Sequence, residues 1–240
     1  PIVNGRTGEI HGVEVLARWK HERTGYISPT TFIPVAEKTG LIIPLTKALM
    51  AQVVQEMNKV ASKLPEGFHI GINFSASHVS APSFMTDCLQ YRESFQHSHL
   101  ILVLELTERE PLHIDQRLID NLNTLRRHGF FIALDDFGTG YSGLSYLHDL
   151  KIDFIKIDQS FVSRVDSHED STMLLDCVLD MVNKLSLQIV AEGVETTEQL
   201  EYLNRKNIAL MQGYYFYKPL TYIELVIALL AQNNKEISVD

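Results

Sequence analysis

The order of the strands is decided at the start of the chain, where residues 1–18 read PIVNGRTGEIHGVEVLAR. Residues 2–3 and residues 12–18 predict two short strands, and the segment between them contains the turn residues Asn4-Gly5 and Gly8. A parallel pair of strands needs a crossover of about a dozen residues or more, whereas an antiparallel pair needs only a tight turn. We therefore predict that the first two strands pair antiparallel.

Short apolar segments alternate with helical patterns along the rest of the chain. The segments cover residues 69–74, 100–106, 130–137, 154–158, 188–193 and 211–216. The helical stripes include Leu174, Val178, Met181, Val182 and Leu185. Alternating strands and helices predict a parallel sheet, and eight strands predict closure. The expected fold is an α/β (β/α)8 TIM-type barrel with one antiparallel strand near the N-terminus. We expect one domain over residues 1–233 and a polar tail over residues 234–240.

Composition excludes several classes of protein. The 240 residues suit one such barrel, and 45% apolar residues exclude a disordered chain. Thirty acidic against 21 basic side chains give a net charge of −9, which argues against wrapping a DNA or RNA polymer. The longest strongly apolar stretch, residues 225–231, is too short to span a membrane, so we expect no membrane contact by this domain.

The two cysteines and the first residues bear on localisation. Cys88 and Cys177 lack the spacing of metal ligands, which predicts reduced core thiols in a cytoplasmic domain. The chain begins at Pro1 without a signal peptide or an initiator methionine. We expect a domain of a longer parent protein, and an inner-membrane anchor on that parent is compatible with this expectation.

Ionisable and amide side chains fall at the carboxyl ends of successive predicted strands, where barrels collect functional groups. They are Asn73, Glu105, Asp135 with Asp136, Lys156 to Asp158, Glu192 and Gln212. Glu14 lies within the second strand, which we take to be the reversed one, and a carboxylate facing inward there would be costly. A single acidic residue at a strand end usually caps a helix or is solvated at the rim of the barrel. The same pattern at the ends of five strands predicts a shared site.

These residue types predict a metal site. Carboxylates that converge in one mouth repel each other unless cations join them. Carboxylate and amide oxygens suit Mg²⁺ or Mn²⁺ better than zinc or copper. The adjacent Asp135 and Asp136 would allow one carboxylate to bridge two ions, as in phosphodiester hydrolysis. Lys156, on the neighbouring strand, could orient a water or help to deprotonate it.

A glycine-rich segment offers a different interpretation. Residues 138–143 (GTGYSG) fit the dinucleotide-binding fingerprint and follow a strand. Asp135 and Asp136 would repel a bare pyrophosphate there, and the fingerprint leaves Glu14 and Glu192 unexplained. We therefore interpret the glycines as a loop over the metals.

Several segments together resemble the EAL domain family of bacterial cyclic di-GMP phosphodiesterases. They are EVLARW at residues 14–19, INFS at 72–75, ELTE at 105–108, DDFGTGYS at 135–142, KID at 156–158, AEGVE at 191–195 and QGY at 212–214. The resemblance runs from residue 1 to about residue 230. Val15 stands where the name of the family has Ala, beside an intact Glu14.

The resemblance implies hydrolysis of cyclic di-GMP to linear pGpG with two Mg²⁺ or Mn²⁺ ions in each site. It assigns one ion to Glu14, Asn73, Glu105 and Asp135, and the other to Asp135, Asp136 and Glu192. Lys156 would act on the attacking water, and we count Lys156, Glu192 and Glu14 as the catalytic residues. We assign Arg18, Gln212 and Asp158 to substrate binding and Glu108 to anchoring the glycine loop. The family also suggests a homodimer.

Two other functions remain open at this point. The first is a catalytically inactive cyclic di-GMP-binding or scaffold module of the same fold. The second is a Mg²⁺-dependent lyase or isomerase with a lysine base. The complete set of acidic residues favours the phosphodiesterase over the first, and the adjacent aspartates favour it over the second.

Overall fold

Eight strands close into a barrel in the computed structural model, which describes residues 1–107, 112–138, 147, 149–166 and 172–236. The barrel strands are β1 Ile2–Asn4, β2 Ile10–Val15, β5 His69–Phe74, β6 Ile101–Thr107, β7 Phe130–Phe137, β8 Phe154–Ile157, β9 Gln188–Ala191 and β10 Leu210–Met211. Two further strands, β3 Trp19–His21 and β4 Gly25–Ile27, form a separate hairpin.

The strand β1 is the reversed one. It pairs antiparallel with both β2 and β10, whereas the other neighbouring barrel strands pair parallel. The turn after β1 is tight, because Asn4 Oδ1 accepts hydrogen bonds from the amides of Arg6 and Thr7 and Gly8 has a φ of 76°. The predicted barrel with one antiparallel strand is confirmed. The placement of Glu14 on the reversed strand was wrong, because β2 runs parallel to β5.

The structure shortens the last predicted strand and adds the hairpin. The barrel strand ends at Met211, and the amides of Phe216 and Tyr217 both donate to the carbonyl of Gly213. The chain therefore turns where the aromatic residues 214–216 predict a strand. The hairpin of β3 and β4 follows β2 at once and was not predicted, because each strand has only three residues.

The helices surround the barrel. They are α1 Pro29–Thr39, α2 Ile42–Met57, α3 Ala76–Val79, α4 Phe84–Glu93, α5 Gln116–Arg127, α6 Gln159–Val162, α7 Met173–Lys184, α8 Thr197–Arg205 and α9 Tyr222–Glu236, with 3-10 turns at Ala61–Lys63 and Ser163–Asp166. In α7 the buried residues are Leu175, Leu179 and Val182, whereas Leu174 and Leu185 are exposed. The predicted stripe is confirmed at Val182 and wrong at Leu174 and Leu185, because a neighbouring apolar face also fits the helical period.

Inward-facing side chains fill the barrel in layers. One buried cluster consists of Ile2, Val103, Ala133, Phe154, Val190 and Leu210. Side chains alternate between the two faces of a strand, so the next inward position lies two residues further along. On three of these strands that position is Glu105, Asp135 or Lys156. The barrel therefore changes from apolar to ionisable within one step toward its carboxyl end.

Two findings bear on the predictions about thiols and membranes. Both cysteines are free, but only Cys88 is buried, so the prediction of a core thiol was wrong for Cys177. Within the described residues, no helix is both long enough and apolar enough to cross a bilayer.

Candidate active site

The ammonium group of Lys156 lies at the centre of the acidic mouth of the barrel. Its Nζ atom is 2.7 Å from Glu105 Oε2, 2.8 Å from Glu192 Oε1, 3.0 Å from Glu14 Oε2 and 3.1 Å from Asp135 Oδ1. The Lys156 side chain is only 2% exposed. The lysine is thus a shared counter-ion for carboxylates from four different strand ends.

Glu14 is held by two amides in addition to the lysine. Asn73 Nδ2 donates to Glu14 Oε1 over 2.8 Å, and Gln212 Nε2 donates to Glu14 Oε2 over 2.9 Å. Asn73 is on β5 beside β2, and Gln212 follows β10. The predicted residues Asn73 and Gln212 therefore join the carboxylate cluster through Glu14.

A bulge in β7 brings two successive aspartates to the mouth. Leu134 pairs with Ile155 and Phe137 with Ile157, so β7 has one extra residue between these pairs. Asp136 has a φ of 55°, a left-handed conformation that Asp tolerates better than most residues. In a regular strand Asp135 and Asp136 would point to opposite faces. The bulge changes the direction of the strand, and carboxylate oxygens of both residues lie within 4.8 Å of each other and of Glu192.

Gly71 makes room for Glu105. A Cβ atom at this position would overlap Oε1 of Glu105, and Gly71 faces the barrel interior two residues before Asn73. Gly193 has a related role next to Glu192, with a φ of 68° and a position where a Cβ atom would overlap Gln159. Sequence reasoning missed both residues. A glycine inside a strand, which often marks close approach of another group, is the signal that points to Gly71.

Burial and mutual repulsion keep the site short of full ionisation. Burial is the largest cause that raises the pKa of Glu105 well above its ordinary value and the pKa of Glu192 to about 8, with Lys156 opposing the shift and other carboxylates adding to it. Burial also lowers the pKa of Lys156, but the carboxylates, Glu105 first, outweigh this and the net pKa is well above the ordinary value. Full ionisation of the four carboxylates would exceed the charge that one ammonium balances, and added cations would favour it.

The described residues fit divalent cations in two overlapping groups. Glu14, Glu105 and Asp135 form one group of converging oxygens, and Asp135, Asp136 and Glu192 form the other. Asp135 belongs to both. Its Oδ1 atom is buried and accepts no hydrogen bond from any residue that the structure describes, although the Lys156 ammonium is near. An oxygen in that state is suited to coordinate a cation.

Two of the predicted site residues that the structure describes do not join this cluster. Arg18 is exposed, and its Nη1 atom donates to the carbonyl of Ala17. Asp158 Oδ1 accepts from the amide of Ser160 and so forms the N-cap of α6. Glu108 and the glycine-loop residues 139–143 lie outside the described residues.

Comparison with known proteins gives the family. The sequence model of the EAL domain family matches residues 1–219. The chain belongs to the EAL domain family. This domain is 63% identical over all 240 of its residues to the probable cyclic di-GMP phosphodiesterase PdeG of Escherichia coli K12. It is 42% identical over 220 residues to the cyclic di-GMP phosphodiesterase PdeL of the same organism, which covers 92% of this chain.

A solved structure supports the same fold. The EAL domain superposes on the PaMucR phosphodiesterase in complex with c-di-GMP with a TM-score of 0.84 at 33% identity, over 94% of this chain and 91% of that one. The chain spans 47% of the length of PdeG and 61% of the length of PdeL. The family and the fold are thus established for this chain.

Proposed function

We propose that this EAL domain is a metal-dependent phosphodiesterase that hydrolyses cyclic di-GMP to linear pGpG. The observation that supports it most directly is the convergence of five carboxylates and one lysine at the mouth. PdeG and PdeL are named for this activity, and the PaMucR structure contains c-di-GMP. The charged residues that the resemblance assigns to the metals and to the attacking water are all present in this chain. Their presence favours catalysis over an inactive binding module.

Two divalent ions, Mg²⁺ or Mn²⁺, fit the charge of the site. The five carboxylates of Glu14, Glu105, Asp135, Asp136 and Glu192 against one ammonium leave a formal charge of 5 − 1 = 4 negative units. Two ions of charge +2 would balance these units. Asp135 would bridge the ions, because it belongs to both groups of oxygens. Asn73 would complete the first set of ligands through its amide oxygen.

When bound, the divalent ions would polarise the phosphodiester and favour ionisation of the attacking water. The residues of the chain would do the rest. Lys156 would orient the water and offset the negative charge that develops on the phosphate. Water would add to phosphorus as one P–O3′ bond breaks, and the released O3′ would take up a proton. The ring would thus open to pGpG with a 5′-phosphate and a free 3′-hydroxyl. Gln212 and Asn73 would keep Glu14 in place by the two hydrogen bonds described above.

The direct test is incubation of the domain with cyclic di-GMP and Mg²⁺ or Mn²⁺, followed by chromatography. Formation of pGpG that stops on addition of EDTA is the expected result. The control is Glu105→Gln, which replaces a buried carboxyl group of the site by a neutral amide of the same shape and should lose activity. Binding of cyclic di-GMP without hydrolysis would favour the scaffold alternative. A domain that neither binds nor hydrolyses cyclic di-GMP but turns over another anion would favour a lyase or isomerase.

Other parts of the prediction also remain proposals. We assign Arg18 and Asp158 to substrate binding and Glu108 to anchoring the glycine loop. We propose that the domain covers residues 1–233. A homodimer and a cytoplasmic location, with a membrane anchor on a longer parent, are proposed on the resemblance and the residues alone. Analytical ultracentrifugation of the purified domain tests the dimer.

A further inference from the structure

A cluster of two buried side chains and the half-exposed Lys47 lies behind the proposed metal ligand Asn73, outside the site described above. His78 on α3 and Asp87 on α4 have side chains that are 0% and 2% exposed. His78 Nε2 lies 3.2 Å from Asp87 Oδ2, and Lys47 Nζ on α2 lies 2.6 Å from Asp87 Oδ1. The cluster thus ties three helices together by one carboxylate.

The cluster is connected to the mouth through Phe74. Asn73 and Phe74 are successive residues of β5, so their side chains point to opposite faces of the barrel. Asn73 faces the mouth and donates to Glu14. Phe74 is 2% exposed and packs on the ring of His78 with centroids 5.1 Å apart and on Phe84 with centroids 5.7 Å apart. The end of β5 is thus held from behind by a group that contains His78.

The backbone after β5 is tied to position 78 through a main-chain hydrogen bond. Ser75 Oγ accepts a hydrogen bond from the amide of His78 and caps α3. Burial is the main cause that lowers the pKa of His78. Because the carboxylate of Asp87 can only accept, Nε2 is the nitrogen that carries the proton in this contact. An imidazole that is fully buried and hydrogen-bonded in this way has a defined orientation.

We infer that His78 and Asp87 are positioning residues that hold the end of β5, and with it Asn73, in the geometry that divalent metal binding requires. The inference rests on the proposed function for the identity of the ligand. Partners beyond the ligands of a metal site commonly contribute about 10–100-fold to metal affinity. Because His78 acts through Phe74 and the backbone, we expect an effect at the lower end of this range.

The test compares two variants of one residue. His78→Leu keeps apolar bulk but removes the donor, whereas His78→Gln keeps an amide donor that can reach Asp87. Mn²⁺ binding is measured by calorimetry without substrate, and the Mn²⁺ concentration for half-maximal hydrolysis is measured separately. We expect His78→Leu to weaken both about tenfold and His78→Gln to restore them to within about twofold of the wild type. The value of kcat at saturating Mn²⁺ should change less than about twofold.

Controls separate positioning from general destabilisation. Tyr91→Phe removes the buried hydroxyl of Tyr91, which has no hydrogen-bond partner among the described residues, from the same helix α4 and should leave Mn²⁺ affinity unchanged. If His78→Leu does not fold, Asp87→Asn keeps the shape of the side chain but weakens both its bond to His78 and its ion pair with Lys47. It should reduce Mn²⁺ affinity about threefold.

Two results would overturn the inference: wild-type Mn²⁺ affinity in a folded His78→Leu or Asp87→Asn variant, or equal losses in the Leu and Gln variants. Mn²⁺ binding that responds to His78 in a protein that does not hydrolyse cyclic di-GMP would overturn the proposed function alone. A wild-type protein that binds no Mn²⁺ would overturn both.

Discussion

The two ends of the barrel interior differ in charge although the same strands form both. Toward the amino ends the interior contains Val103, Ala133 and Phe154. Two residues further along the same strands it contains Glu105, Asp135 and Lys156. The amino end is stable because its apolar side chains pack closely and need no polar partners when they are buried. The mouth is stable only when its charges are balanced, by Lys156 or by bound cations.

His69 shows how the apolar end tolerates a titratable group. It begins β5, and its ring packs edge-on against Phe154 with centroids 5.0 Å apart. Burial, with a smaller contribution from His11, lowers the pKa of His69 to about 4. The apolar end therefore keeps its histidine neutral, whereas the mouth keeps its lysine charged. At each end of the barrel, the neighbouring groups therefore set the protonation state of a buried side chain.

The largest effect should follow the removal of charge from the residue shared by both groups of metal ligands. Asp135→Asn should reduce pGpG formation at saturating Mn²⁺ by at least about a thousandfold, with thermal unfolding close to that of the wild type. Asp180→Asn, the same change at an exposed position of α7, is the matched control and should be fully active. Hydrolysis that survives in Asp135→Asn would argue against two bridged ions.

Removal of the shared counter-ion should affect both chemistry and stability. Lys156→Met should lower kcat about a hundredfold or more and raise KM much less, because the lysine acts on the attacking water. Without metal, the variant should also unfold more readily, because a buried carboxylate cluster loses its only described cation.

Calorimetric scans with and without Mn²⁺ measure the second effect of Lys156→Met. Mn²⁺ should raise the melting temperature of the variant more than that of the wild type, because the ions replace the missing charge. A variant that raises KM and keeps kcat would instead place Lys156 in substrate binding.

The apolar end should respond to acid through His69. Its folded-state pKa of about 4 lies below the value of 6.5 for an unperturbed histidine, so the unfolded chain binds a proton first as the pH falls. The stability contributed by neutral His69 is complete above about pH 6.5 and declines until about pH 4. Between pH 7 and pH 5 this amounts to a loss of about 2 kcal/mol.

Urea unfolding at pH 7 and pH 5 measures the His69 effect. His69→Leu should show a pH-dependent loss smaller than that of the wild type by about this amount, and the exposed His128→Gln should not. Equal pH dependence in the wild type and in His69→Leu would show that His69 does not limit stability in acid.

The smallest effect should come from a packing change at the apolar end. Val103→Ala removes two methyl groups from the inner layer, one step before Glu105, and should cost about 1–2 kcal/mol of unfolding free energy. The Mn²⁺ requirement should not change, because the inner layer contributes no ligand. A shift in Mn²⁺ affinity in this variant would show that the two ends are coupled.

Much of the fold and of the site can be predicted from the order of residues. Turn residues within seven positions after Val3 required an antiparallel first pair of strands, and the alternation of segments required a barrel. Residue types at the strand ends were sufficient to locate Glu105, Asp135, Lys156 and Glu192 in one mouth. These properties are local or follow from the period of a strand, so they can be predicted from the order of residues.

The way in which these side chains meet depends on contacts between distant parts of the chain. The bulge that turns Asp135 and Asp136 to one side is visible only in the pairing of β7 with β8. The common contact of Lys156 with four carboxylates depends on closure of the barrel, and Glu105 depends on the space left by Gly71. The support of Asn73 by His78 likewise joins β5 to α4. These are relations between distant strands and helices, and their energies depend on burial and distance, which a pattern of residues does not contain.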